Sequence, residues 1–215
     1  MAETFDCAVP DSRVAGLAAA ARAVRAGRLV VLPTDTVYGI GCDAFSTSGV
    51  AALLAAKRRG PDMPVPVLVG SWTTIDGLVG RVPQEARDLI EAFWPGPLSV
   101  VLPHAASLSW DLGRTKGTVM LRMPLHPVAL ELLRDVGPMA VSSANVSGQP
   151  PAADAANARE QLGDLVDVYL DGGPSGEPVA STIVDLTADV PRLLRTGDVS
   201  AEQVAEVIGR EVAPA

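Results

Sequence analysis

Behind Asp11 and Ser12, the apolar positions Val14, Leu17, Ala18, Ala21 and Val24 recur at helical spacing until Gly27. The spacing predicts an amphipathic helix over about 12–26, with Asp11 and Ser12 as candidate caps. The run from Leu29 to Leu32 is apolar throughout and stops at Pro33, as a short buried strand does. Beyond it the two periods alternate. Helices are predicted over about 47–59, 83–93, 127–136 and 154–162, and strands over about 65–69, 98–102, 118–122, 139–142, 166–170, 181–186 and 192–195. A last helix runs from Ser200 to about Ile208, and Ser200 with Gln203 has the reciprocal spacing of a capping box. Strands and helices interleaved over the whole length predict an α/β (α+β) fold, a sheet covered by helices. The loop-like stretches Ser147–Ala153 and 171–178 separate no two complete patterns, so one domain over 1–215 is expected.

Composition narrows the classes. A chain of 215 residues, 48% hydrophobic, has material for one sizeable core. Its mean hydropathy of +0.27 is high, yet no apolar run approaches the ~18 residues of a membrane span. A formal net charge of −8 disfavours a general nucleic-acid-coating role. The first residues lack the basic and apolar regions of a signal peptide, and two cysteines, Cys7 and Cys42, are fewer than a disulfide-built secreted domain uses. A cytoplasmic location away from membranes is therefore expected. Of the 17 basic residues only Lys57 and Lys116 are lysine, which makes a retained lysine a better functional candidate than usual.

Four polar clusters fall where predicted strands or helices end, the usual place for ligands in open α/β sheets. Residues 33–39 (PTDTVYG) read as a capped turn or as hydroxyls and a tyrosine lining a polar pocket. Lys57, Arg58 and Arg59 before Gly60-Pro61 read as a helix C-terminus, or as a cationic spot for a polyphosphate or carboxylate. On the strand at 118–122, Thr118, Met120 and Arg122 share a face. A buried arginine there needs either a nearby acid or a carboxylate in a cleft. Ser142 to Gly148 (SSANVSG) reads as a self-bonded turn or as a set of hydroxyl, amide and N–H groups for phosphate oxygens. Ser181 and Arg195 complete the candidates. His104 and His126 stand far apart in no zinc or hydrolase pattern, and neither G-x-x-x-x-G-K-[ST] nor G-x-G-x-x-G occurs.

In order along the chain, PTDTVYGIG at 33–41, the K-x-R of Lys57 and Arg59, WPGPLSVVL at 94–102, TVMLRMPLHP at 118–127, the S-x-N of Ser143 and Asn145, and LLRTG at 193–197 resemble the YrdC-like threonylcarbamoyl-AMP synthases. The resemblance covers about 12–198 and is to the single-domain form. It implies a twisted mixed sheet flanked by helices around a concave, locally positive cavity. The implied reaction joins L-threonine, bicarbonate or CO2, and ATP into threonylcarbamoyl-AMP and pyrophosphate, for N6-threonylcarbamoyladenosine formation in tRNA. By the same resemblance Thr36, Tyr38, Arg122 and Ser181 would hold threonine. Lys57, Arg59, Thr118, Ser143, Asn145 and Arg195 would hold ATP, with Lys57 and Arg59 acting in catalysis by positioning. No side-chain nucleophile and no protein-only metal site is implied; Mg2+ would arrive with ATP. The implied partners are these substrates and downstream tRNA threonylcarbamoyl-transfer proteins, with weak RNA binding compatible. Ser147–Ala153 or 171–180 is the expected lid.

Three positions depart from the family pattern: Gly60 precedes Pro61 where a proline usually follows K-x-R, Ser142 replaces a proline, and Leu68 stands where a histidine often sits near threonine. Two other readings therefore stay open: a non-catalytic RNA-binding or ribosome-associated module, and a paralogue that hydrolyses adenylates or uses another carbamoyl substrate.

Overall fold

The computed structural model describes residues 2–176 and 179–214. Along the chain it places β1 (Glu3–Asp6), α1 (Pro10–Arg25), β2 (Val30–Leu32), β3 (Gly39–Asp43), α2 (Thr47–Ala56), β4 (Val67–Leu68), α3 (Ile75–Leu78) and α4 (Gln84–Phe93). There follow β5 (Leu98–Pro103), β6 (Thr118–Arg122), α5 (Pro127–Val136), β7 (Met139–Ser143), α6 (Ala155–Leu162), β8 (Val168–Asp171), β9 (Thr182–Asp185), β10 (Arg192–Arg195), α7 (Ala201–Ile208) and β11 (Ala213–Pro214). The strands form one twisted mixed sheet in the order β1-β8-β2-β3-β7-β4-β6-β5-β9-β10-β11. This is the expected helix-flanked architecture.

Burial divides the core into two clusters, one on each side of the sheet. On one face Ala19, Ala20, Ala23 and Val24 of α1 and Val128, Ala129, Leu132 and Leu133 of α5 pack on Val30, Leu32, Leu68, Met139, Val141, Val168 and Leu170. On the other, residues of α2, α4, α6 and α7 pack on Val31, Ile40, Val67, Leu98, Val100 and Leu121. The cluster under α1 and α5 ends at Leu68 and Val141 and takes nothing from β5, β6 or β9. That leaves a stretch of this sheet face for a cavity.

Local differences from the expected elements have simple causes. α1 starts at Pro10 behind Val9, without a side-chain cap from Asp11 or Ser12, because proline at the first helical position supplies the start itself. α2 stops at Ala56, three residues early, since Arg58 takes a left-handed φ of 51°. The capping box of Ser200 and Gln203 is formed. Strands β1, β3 and β11 were not anticipated. β1 is a polar four-residue edge strand, β11 has two residues, and β3 carries Gly39 and Gly41, whose missing side chains erase the strand period. Val141 fills that space: a Cβ on Gly39 or Gly41 would lie 2.6 or 2.7 Å from its methyl carbons. Among the described residues no helix is long and apolar enough to cross a membrane.

Candidate functional site

Strand register assembles the floor of the cavity. Leu68 on β4 lies opposite Arg122 on β6. Val100 opposite Leu121 brings Ser99 of β5 level with Arg122. Ser99 lies opposite Ile183 of β9, and Ile183 opposite Arg195 of β10 across a bulge. Cross-strand partners project from the same sheet face, so Leu68, Arg122, Ser99, Ile183 and Arg195 form one transverse row. All five line a cavity of about 410 Å³, together with Thr34, Thr36, Tyr38 and Arg59, residues 141–143 of β7, Pro151 and Ser181.

The polar groups in it are ordered. Arg122 is 7% exposed. Its Nη2 pairs with Asp35 Oδ1 at 2.5 Å, its Nη1 donates to Thr36 Oγ1 at 2.9 Å, and its Nε donates to the Gly96 carbonyl at 3.0 Å. The nearby-acid alternative for this arginine is thus realised, and Asp35 also accepts from Leu125 N–H. Arg195 donates through Nε to the Ser181 carbonyl and through Nη2 to Ser181 Oγ, at 2.8 and 3.0 Å. Arg59 donates to the Pro64 carbonyl at 3.1 Å, while its buried Nε has no hydrogen-bond partner among the described residues. A buried N–H without an acceptor is costly and suits a site that receives an anion. Among the described residues three guanidinium groups line the cavity and no carboxylate does, Asp35 being paired to Arg122 behind it, so the described lining is locally positive in a chain of net charge −8.

Thr36, Tyr38, Arg59, Arg122, Ser143, Ser181 and Arg195 of the anticipated residues line the cavity; Lys57, Thr118 and Asn145 do not. Lys57 is 3% exposed, and its Nζ donates to the carbonyls of Ser143 and Asn145. Burial, and then the charge of Arg59, bring its pKa down to about 8. Asn145 spends its amide on the Val146 and Gln149 carbonyls, so Lys57 and Asn145 shape the turn that presents Ser143. Thr118 Oγ1 donates to the Thr115 carbonyl. Tyr38 is a buried wall whose hydroxyl donates to the Gly173 carbonyl and accepts from Gly172 N–H; burial pushes its pKa up.

Both expected lid loops reach the cavity, through Pro151 and Ala180. Ser175 joins them by donating from N–H and Oγ to the Ala153 carbonyl. Residues 177–178 of the second loop lie outside the described residues. Sequence reasoning missed Ser99 and Asp35, and had Thr34 only as one of the pocket-lining hydroxyls of the 33–39 turn. The only signal for Ser99 was one hydroxyl inside the apolar run LSVVL; for Thr34 and Asp35 it was membership of a turn motif. Among the described residues no three His, Cys, Asp or Glu side chains gather as metal ligands would.

A mixed α/β sheet carries a concave cavity on one face, lined among the described residues by arginines and hydroxyls. Comparison with known proteins gives this architecture a family. The Sua5/YciO/YrdC family model, described as "Telomere recombination", matches residues 22–197, and the chain belongs to that family. A Mycobacterium tuberculosis protein called "Putative threonylcarbamoyl-AMP synthase" is 66% identical over 213 residues, 99% of this chain and 98% of that protein. The Bacillus subtilis threonylcarbamoyl-AMP synthase is 39% identical over 90% of this chain, which spans 56% of that protein. The crystal structure of Pyrococcus abyssi Sua5 complexed with L-threonine superposes with a TM-score of 0.90 at 34% identity over 100% of this chain and 62% of its own.

Proposed function

We propose that this chain makes threonylcarbamoyl-AMP and pyrophosphate from L-threonine, CO2 (or bicarbonate, with loss of water) and ATP, as a nucleotidyltransferase supplying tRNA modification in the cytoplasm. The observation that carries the reading is the row of Arg122, Ser99 and Arg195 across the cavity floor, with Arg59 at its wall. It occurs in a chain 66% identical to a protein bearing the synthase name.

The chemistry needs no side-chain nucleophile. The threonine amine adds to CO2 and releases a proton, giving a carbamate. A carbamate oxygen then attacks the α-phosphorus of ATP, forming the mixed anhydride as the bond to pyrophosphate breaks. What the protein must provide is alignment of two anions and neutralisation of the charge that builds on the triphosphate. In this reading Thr36, Tyr38, Arg122 and Ser181 enclose threonine. Arg59, Ser143 and Arg195 face ATP phosphates, and Lys57 and Asn145 act by holding the Ser143 turn. Thr118, two and four residues from Met120 and Arg122 on the same strand face, extends the ATP site. Mg2+ enters as MgATP; the donor set here is guanidinium and hydroxyl, and the Asp35 carboxylate is tied to Arg122, which fits a metal carried by phosphate better than one caged by protein. The joined loops at Pro151 and Ala180 are proposed to close over the water-labile intermediates.

Purified protein given threonine, bicarbonate and MgATP should release pyrophosphate only when threonine is present. Folded protein that releases none, or releases it equally without threonine, contradicts the reading. Tight, salt-sensitive RNA binding without nucleotide binding would favour the RNA-module alternative instead.

A further inference from the structure

Two hydroxyls that face the cavity, Thr36 and Ser181, each rest on a second hydroxyl, Thr34 and Ser99 respectively. A hydroxyl has one hydrogen to give and two lone pairs to receive, so the hydrogens of each pair can be counted.

Thr34 is 8% exposed. Its Oγ1 lies 2.6 Å from the Val37 carbonyl, which can only accept, so the Thr34 hydrogen is spent there. The 3.1 Å contact between Thr34 and Thr36 must then be made by the Thr36 hydrogen. With Thr36 N–H also donating at 3.2 Å, Thr34 is saturated. Thr36 has given its hydrogen away and accepts from Arg122, which leaves it one lone pair and no donor for the cavity.

The second pair comes out with the opposite sign. Ser99 is 3% and Ser181 5% exposed, and their oxygens are 3.0 Å apart. Arg195 donates to Ser181 Oγ. Whichever serine donates to the other, one hydrogen of the two is left over, and Ser99 holds the Ser181 hydroxyl that receives Arg195.

We infer that Thr34 and Ser99 are positioning residues of the amino-acid subsite: Thr34 takes up the Thr36 hydrogen and makes Thr36 an acceptor for substrate N–H, while Ser99 anchors the Ser181 hydroxyl where the pair's remaining hydrogen can donate to the anionic end. The inference rests on the proposed synthase reading and adds to it two residues and a direction. A zwitterion presented with its ends reversed would face an acceptor with its carboxylate, which costs more than an unmade bond.

The test is steady-state kinetics of pyrophosphate release for Ser99→Ala, Thr34→Val and Thr34→Ser, with thermal melting to verify the fold. Ser99→Ala and Thr34→Val should each raise KM for threonine about five- to tenfold, the worth of one oriented hydrogen bond. KM for MgATP should stay within about twofold, and Thr34→Ser should restore threonine KM, because it returns the hydroxyl without the methyl. Unchanged threonine KM, a parallel rise in both KM values, or failure of Thr34→Ser to rescue overturns the inference. If Thr34→Val does not fold, Ser99→Ala alone decides. A wild-type protein without threonine-dependent activity would instead overturn the synthase reading, so the two failures are distinguishable.

Discussion

Lys57 stands behind the cavity wall rather than in it. Its ammonium is enclosed at 3% exposure and bonded to the Ser143 and Asn145 carbonyls, one turn behind the cavity wall. Lys57→Met strands both acceptors, and at about 1–3 kcal/mol for a buried unpaired group the loss should be plain in urea unfolding. The pH dependence has a definite sign. With a folded pKa of about 8 against 10.5 unfolded, the unfolded chain binds more protons between those values, so stability rises with pH through that window. The cost of burying the charge is fully present below pH 8. Lys57→Met should lack that rise, and equal slopes in both proteins would contradict the assignment. At this scale the sequence showed the motif residues of the site, cationic and hydroxyl alike, better than the residues that support them. Arg59, Arg122 and Arg195 stand out because a cation in an apolar strand or motif demands a partner, whereas Ser99 and Thr34 are ordinary residues until register and hydrogen-bond partners are known.

The elements carry the site through register and close approach. β10 ends in the LLRTG motif, and its glycine explains why that motif needs one: a methyl on Gly197 would overlap the Ala180 carbonyl and stand 2.6 Å from Thr182 N and the Ser181 carbonyl carbon. Gly197 N–H also donates to Thr182 Oγ1. Gly197→Ala should push the Arg195 strand away from Ser181. About 1–3 kcal/mol of overpacking would lower Tm by about 2–4 °C per kcal/mol in a chain this size, and threonine affinity should fall with it. A variant with wild-type Tm and affinity would show that the contact is not tight. The long helices and the strands β5, β6 and β7 were legible because their apolar periods are strong. β3 was not, since Gly39 and Gly41 yield their side-chain space to Val141. The transverse row across the floor was beyond reach as well, because cross-strand register depends on which strands pair and no local pattern states that.

For the whole molecule, a net charge of −8 and a cationic cavity are compatible because the charge is distributed unevenly. Surface arginines are matched by acids, as in Arg13–Glu131, Arg25–Asp135 and Arg28–Asp167, while among the described residues the cavity is lined by three guanidiniums, of which Arg122 is paired with Asp35. The sequence total predicted a poor surface for long nucleic acids; the structure adds a local exception on the scale of one nucleotide and one amino acid. The chain spans nearly all of its mycobacterial relative but 62% of the Pyrococcus abyssi protein, so the relation of this sheet to the rest of that longer chain is a separate matter from the cavity's own chemistry. One cavity is proposed to join three substrates. Its most direct test uses carbon-labelled bicarbonate with threonine and MgATP, followed by chromatography and mass measurement of the nucleotide product. Label is expected in an adenylate that also carries threonine, formed only when all three substrates are present. ATP converted to products that contain neither label nor threonine would contradict it.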